Sequence, residues 1–171
     1  MKNRVAFDID VFRRFARALR GDSGNAPDAE SVAAVRIYNY LTTPVITQTV
    51  WAEIEEQSDG ADIAARSSHV EAVSTIDDFY RGCVKGMSQR YVDYHSDPRD
   101  CRVAAEAECA RVGALLTLNA EMTRALAGRV EIITITSPIE YWIRAKVPRG
   151  TPPRVHPEPD QLLHVHAWWL W

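Results

Sequence analysis

The chain has 171 residues, 46% of them apolar and 25% charged, which is the makeup of one globular domain with a sizeable core. Twenty basic against twenty-three acidic residues leave a net charge of −3, so no global positive field advertises nucleic acid. The cysteines Cys83, Cys101 and Cys109 lack metal-like spacing and predict free thiols. Asp8 and Asp10 break any secretory segment, and no apolar run nears the ~20 residues of a membrane span.

A cytoplasmic protein is the expectation. Its first strand runs through RVAFDI, residues 4–9, and ends on Asp8 and Asp10. Helical period follows over residues 11–20, with Phe12, Phe15, Ala16 and Leu19 inward and Arg13, Arg14, Arg17 and Arg20 outward. Those arginines are either a solvated face or a phosphate-contacting patch beside the strand-end acids. GDSGNAPD is a loop, and a second amphipathic helix covers residues 30–41. Val45-Ile46-Thr47 is a short strand, and Thr47 can cap a third helix, QTVWAEIEEQ. Val50 and Ile54 form its inward stripe, and Glu53 lies at the border of that stripe. Further helices are predicted over 61–73 and 76–84, with Gly82 and Gly86 loosening the end of the second. A short alternating strand is predicted at Tyr91–Tyr94.

The stretch from Asp97 to Glu121 carries the clearest local signals. Asp97 suits an N-cap, Pro98 the first helical position, and Val103, Ala104, Ala107 and Ala110 one apolar stripe. Gly113 stops the helix, and Ala114 to Leu118 is short, apolar and continuous, as an interior parallel strand should be. Asn119 and Glu121 then fall at the strand's carboxyl end, where ligands bind in open α/β sheets. Asp100, in the first helical turn, serves at its plainest only its own helix. EIITIT is a last strand, and Ser137-Pro138 opens a helix over 139–146. Repeated βα order predicts a parallel sheet with helices on both faces and strand ends at one edge. Residues 1–147 are thus one domain. Residues 148–171 are a proline-rich linker and a tryptophan-rich tail that packs on the domain or on a second copy. His156, His164 and His166 make at best a weak metal trio.

Asp8, Glu53 and Asp100 occupy comparable places at that edge. Converging carboxylates repel unless a cation sits between them, and Mg²⁺ or Mn²⁺ is the hard, oxygen-seeking guest that fits. Such an ion activates water and stabilises charge on a phosphodiester, and no serine, histidine or cysteine stands in a nucleophile motif. Metal-assisted hydrolysis is the chemistry these residues permit.

Taken together, VAFDID, TQTVWAE, DCRVAAEA, LLTLN and VEIITITSPIEY resemble a PIN domain, the family that includes toxin ribonucleases of the VapC type. The match spans roughly residues 4 to 146. The resemblance implies a three-layer α/β/α, Rossmann-like fold with a central, mostly parallel sheet. It also implies an Mg²⁺- or Mn²⁺-dependent endoribonuclease acting on RNA, in a toxin–antitoxin pair, with an antitoxin and a homodimer as partners. Asp8, Glu53 and Asp100 match the family's first three acids, as metal ligands and catalytic residues. Asp10 stands as an extra ligand, Thr47 and Thr117 as small polar residues contacting substrate, and Arg13, Arg14 and Arg17 as backbone contacts. Asn119 departs from the pattern, standing where the family has a fourth acid. Its carbonyl oxygen can coordinate but brings no charge, leaving Asp10 or Glu121 to compensate. Two other readings remain open. One is a degenerate PIN domain that binds RNA or protein without cutting. The other is a haloacid-dehalogenase-type phosphatase using Asp8 and Asp10, although Val11-Phe12 replaces the glycine and threonine expected there.

Overall fold

Val5-Ala6-Phe7 is fully buried and forms β1 (Val5–Phe7) at the middle of a five-stranded sheet. The computed structural model describes residues 4–20, 27–57, 71–72, 78–156 and 166–171. After β1 come α1 (Ile9–Arg20), α2 (Ala29–Arg36), β2 (Val45–Ile46), α3 (Gln48–Gln57) and β3 (Glu71–Ala72). Then follow α4 (Asp78–Tyr91), α5 (Pro98–Cys109), β4 (Ala114–Leu116), α6 (Ala120–Leu126), β5 (Thr134–Thr136) and α7 (Pro138–Ala145). The strand order is β3-β2-β1-β4-β5, and every neighbouring pair is parallel. Helices cover both faces, α1 packing on α2 and α2 on α7, with α4 against α5 and α5 against α3. This is a three-layer α/β/α fold.

The chain builds outward from β1 through β2 to β3, then returns to add β4 and β5 on the other side of β1. The order therefore reverses between β1 and β4, and the crevice beyond their carboxyl ends is the topological switch point. Register pairs Phe7 with Ile46 and with Leu116, and Leu116 with Thr136. Asp8, Thr47, Thr117 and Ser137, each the first residue past its strand, consequently share one edge of the sheet.

Side-chain caps fix where the helices start. Asp28 accepts from the amides of Glu30 and Ser31, Asp97 from that of Arg99, and Ser137 from that of Glu140. Four sequence expectations need correction. Tyr91–Tyr94 is no strand: α4 runs through Gly82 and Gly86 to Tyr91, and residues 92–94 turn, because Tyr91 buries itself against Glu108. Residues 71–72, assigned above to a helix, pair with β2 instead, and 61–70 lie outside the described residues. The second helix ends in a π turn over Ile37–Leu41, closed by the Thr42 amide on the Ile37 carbonyl. Cys83 and Cys109 are joined as a disulfide between α4 and α5, which leaves Cys101 as the free thiol among the described cysteines. A further helix, α6, was not anticipated. Among the described residues, no helix is long and apolar enough to cross a membrane.

The end of the tail packs back on the domain. The Arg36 guanidinium donates to the carbonyls of Trp168, Trp169 and Leu170 and stacks 4.8 Å from the Trp171 ring. The Trp171 indole donates to the Val147 carbonyl and meets Trp142 edge-on at 5.4 Å. His164 lies outside the described residues, and His156 and His166 are exposed.

Candidate functional site

Asp8 follows β1 directly. Its amide donates to the Leu116 carbonyl, which ties it to the end of β4. The side chain is 4% exposed, and Oδ2 accepts from Thr117 Oγ1 at 2.6 Å while Oδ1 accepts from the Ile9 amide at 2.8 Å. Both partners are uncharged. Burial pushes the carboxyl up to about 6 against these hydrogen bonds, and the neighbouring charges of Asp100 and Asp10 push the same way. Thr117 Oγ1 in turn accepts from the Asn119 amide at 3.0 Å, so one hydroxyl fixes both strand ends at the switch point.

Asp100 enters from the first turn of α5. Its Oδ2 is 2.7 Å from Asn119 Nδ2 and 2.7 Å from His95 Nε2. The simple capping role considered above is therefore not its main engagement. Glu53 reaches the same neighbourhood from α3. Burial raises its carboxyl despite Arg99, whose guanidinium lies 3.5 Å away, and despite the charge of Arg13, while Asp100 adds to the rise. Asp8 and Glu53, from separate elements, thus each feel the charge of Asp100.

The other candidates are placed differently. Asp10 is exposed in the first turn of α1, 3.6 Å from Arg13. Arg14 is bound to Asp28 at 3.0 Å, and Arg17 is exposed on the same helix. Thr47 is buried, and its hydroxyl accepts from the Val50 amide as the cap of α3. Asn119 caps α6, its Oδ1 accepting from the Met122 amide at 3.0 Å. Its carbonyl oxygen is thereby occupied, and its amide group faces Asp100. Glu121 is exposed in the first turn of α6.

The donor chemistry fits a hard divalent cation: carboxylates only, one of them buried and held out of its usual range. Among the described residues, however, no three His, Cys, Asp or Glu side chains already form a ligand shell. Each carboxylate is turned toward a protein donor: Asp8 to Thr117, Glu53 to Arg99 and Asp100 to Asn119. His95 was missed in the sequence. Its sole sequence signal is a polar turn five residues ahead of Asp100. No protein-family model matches the chain, and no curated protein matches it.

Proposed function

We propose that the protein is a PIN-like, Mg²⁺- or Mn²⁺-dependent endoribonuclease that hydrolyses RNA phosphodiesters, in the manner of a toxin from a toxin–antitoxin pair. The observation that carries this reading is that Asp8 and Glu53 both feel the charge of Asp100 at the sheet edge, with Asp8 buried and its carboxyl pushed up to about 6. Asp8, Glu53 and Asp100 would hold the ion. When bound, Mg²⁺ or Mn²⁺ supplies activation of a water for attack on phosphorus. Thr117 holds Asp8 in place, and Thr47 keeps α3, and with it Glu53, aligned to the sheet edge. Arg13, Arg14 and Arg17 on α1 are the side chains that would contact the RNA backbone, Arg13 lying beside Asp10 and Arg14 beside Asp28.

The experiment is calorimetric titration of the full chain with Mn²⁺, paired with cleavage of a structured RNA, for the natural protein and Asp8→Ala. Metal binding and cleavage are both expected and both should vanish in Asp8→Ala. Cleavage that persists in a nuclease-free preparation of that variant sinks the reading. A second reading, a domain of this type that binds RNA or a partner protein without cutting, is favoured by one observation. Asn119 turns an uncharged amide toward Asp100, where a fourth acid would add charge. Mn²⁺ binding restored only in Asn119→Asp would select it.

A further inference from the structure

Among the described residues, Asn39 and His95 each leave a buried side-chain nitrogen without a hydrogen-bond partner. Asn39 Nδ2 lies in the π turn, whose Asn39 carbonyl already receives the amides of Arg154 and Val155. His95 touches the acid site directly.

We propose that His95 is the positioning residue of this site, holding the Asp100 carboxylate in a single orientation. The inference rests on reading Asp100 as a ligand. His95 is 5% exposed, and Nε2 lies 2.7 Å from Asp100 Oδ2 while Nδ1 has no partner. A carboxylate oxygen only accepts, so Nε2 carries the proton and donates. Burying an imidazole with one nitrogen unsatisfied is unfavourable, and an apolar side chain would fill the space at lower cost. The Nε2–Oδ2 bond is what the histidine contributes.

The ring is anchored from both sides of its own backbone. The His95 amide donates to the Tyr91 carbonyl at 3.0 Å, and the Cys101 thiol donates to the His95 carbonyl at 3.4 Å. His95 comes from the turn after α4 and Asn119 from the start of α6, and both donate to Oδ2. Oδ1 is the oxygen that neither engages. Two donors arriving from different elements fix the carboxylate plane as outer-shell partners do for ligating side chains.

The test uses the full chain with His95→Gln, which keeps a donor, and His95→Leu, which keeps apolar volume without one. Asp100 χ1 is read in metal-free, isotopically labelled protein from couplings between Cγ and the backbone. One rotamer is expected in the natural protein and in His95→Gln, and averaged rotamers in His95→Leu. Mn²⁺ affinity should fall about tenfold in His95→Leu and recover in His95→Gln. A fixed Asp100 rotamer in His95→Leu overturns the proposal, as does Mn²⁺ affinity equal to that of the natural protein. If the natural protein binds no Mn²⁺, the metal reading fails, and the rotamer measurement alone decides the role of His95.

Discussion

The two ends of α5 treat buried acids in opposite ways. At its far end Glu106 and Glu108 are almost wholly buried, yet each is surrounded by donors. Glu106 accepts from the Thr49 amide and hydroxyl, both at 2.9 Å, and from Arg102 at 3.1 Å. Glu108 accepts from the amides of Glu131 and Ile132 at 2.6 and 2.8 Å and from the Tyr91 hydroxyl. At the near end, Asp8 has two uncharged donors and two acidic neighbours, and burial keeps its carboxyl well above the ordinary range. Burial alone does not distinguish a structural acid from a functional one; the donors gathered around it do.

Breaking the satisfied end should have the largest effect. Glu108→Ala leaves two amides and a buried phenol without their acceptor and opens a cavity, which should cost about 3–5 kcal/mol in urea unfolding. Any folded fraction should bind Mn²⁺ as the natural protein does. If the loss is under 1 kcal/mol, the far end is not the satisfied structural site described here.

At the near end the sign reverses. The Asp8 carboxyl sits at about 6 in the fold against an ordinary 3.8, so the folded state holds that proton more tightly than the unfolded chain. This contribution to stability is complete below about pH 4 and is lost as pH rises through 6. In metal-free protein, Asp8→Asn should therefore be more stable than the natural chain at pH 8, by up to about 3 kcal/mol, and no more stable at pH 4. Equal stability at pH 8 would contradict the uncompensated charge. The same variant should lose Mn²⁺ binding.

The smallest effect should come from Asn119→Asp, which exchanges a donor to Asp100 for a second carboxylate. We expect a loss of about 1 kcal/mol in metal-free protein and tighter Mn²⁺ binding, both read by thermal unfolding with and without the ion. Stabilisation without metal would show that the Asn119–Asp100 bond contributes nothing.

Much of this arrangement was legible because its signals are local. Asp8 at the end of an apolar strand, Thr47 ahead of QTVWAEIEEQ, and the Asp97-Pro98 start of α5 each depend on a few adjacent residues. What escaped depends on distant partners. β3 is two residues whose strand identity comes only from pairing with β2. Tyr91 to Tyr94 alternates like a strand, but Tyr91 is drawn into a helix by Glu108, 17 residues on. The Cys83–Cys109 bond spans 26 residues, and three irregularly spaced cysteines give no means of choosing that pair. α6 is seven residues long, too short to show a periodicity, and Asn119, which caps it, was read only as a strand-end ligand position. Glu106 and Glu108 sit inside a helical stretch where any glutamate reads as solvent-facing.

The clasp of Arg36 on the tail has a consequence for how the molecule is made. Its hydrogen bonds join residues 132 to 134 positions apart, so they close a loop covering most of the chain. Closing so long a loop carries a large entropic penalty, which contacts formed earlier within it reduce. Docking of Trp168 to Trp171 therefore belongs late in folding, after α2 and α7 have met. Because Trp142 and Trp171 meet edge-on at 5.4 Å, that late step carries its own optical signal, a coupled indole band in circular dichroism that switches on when the clasp closes.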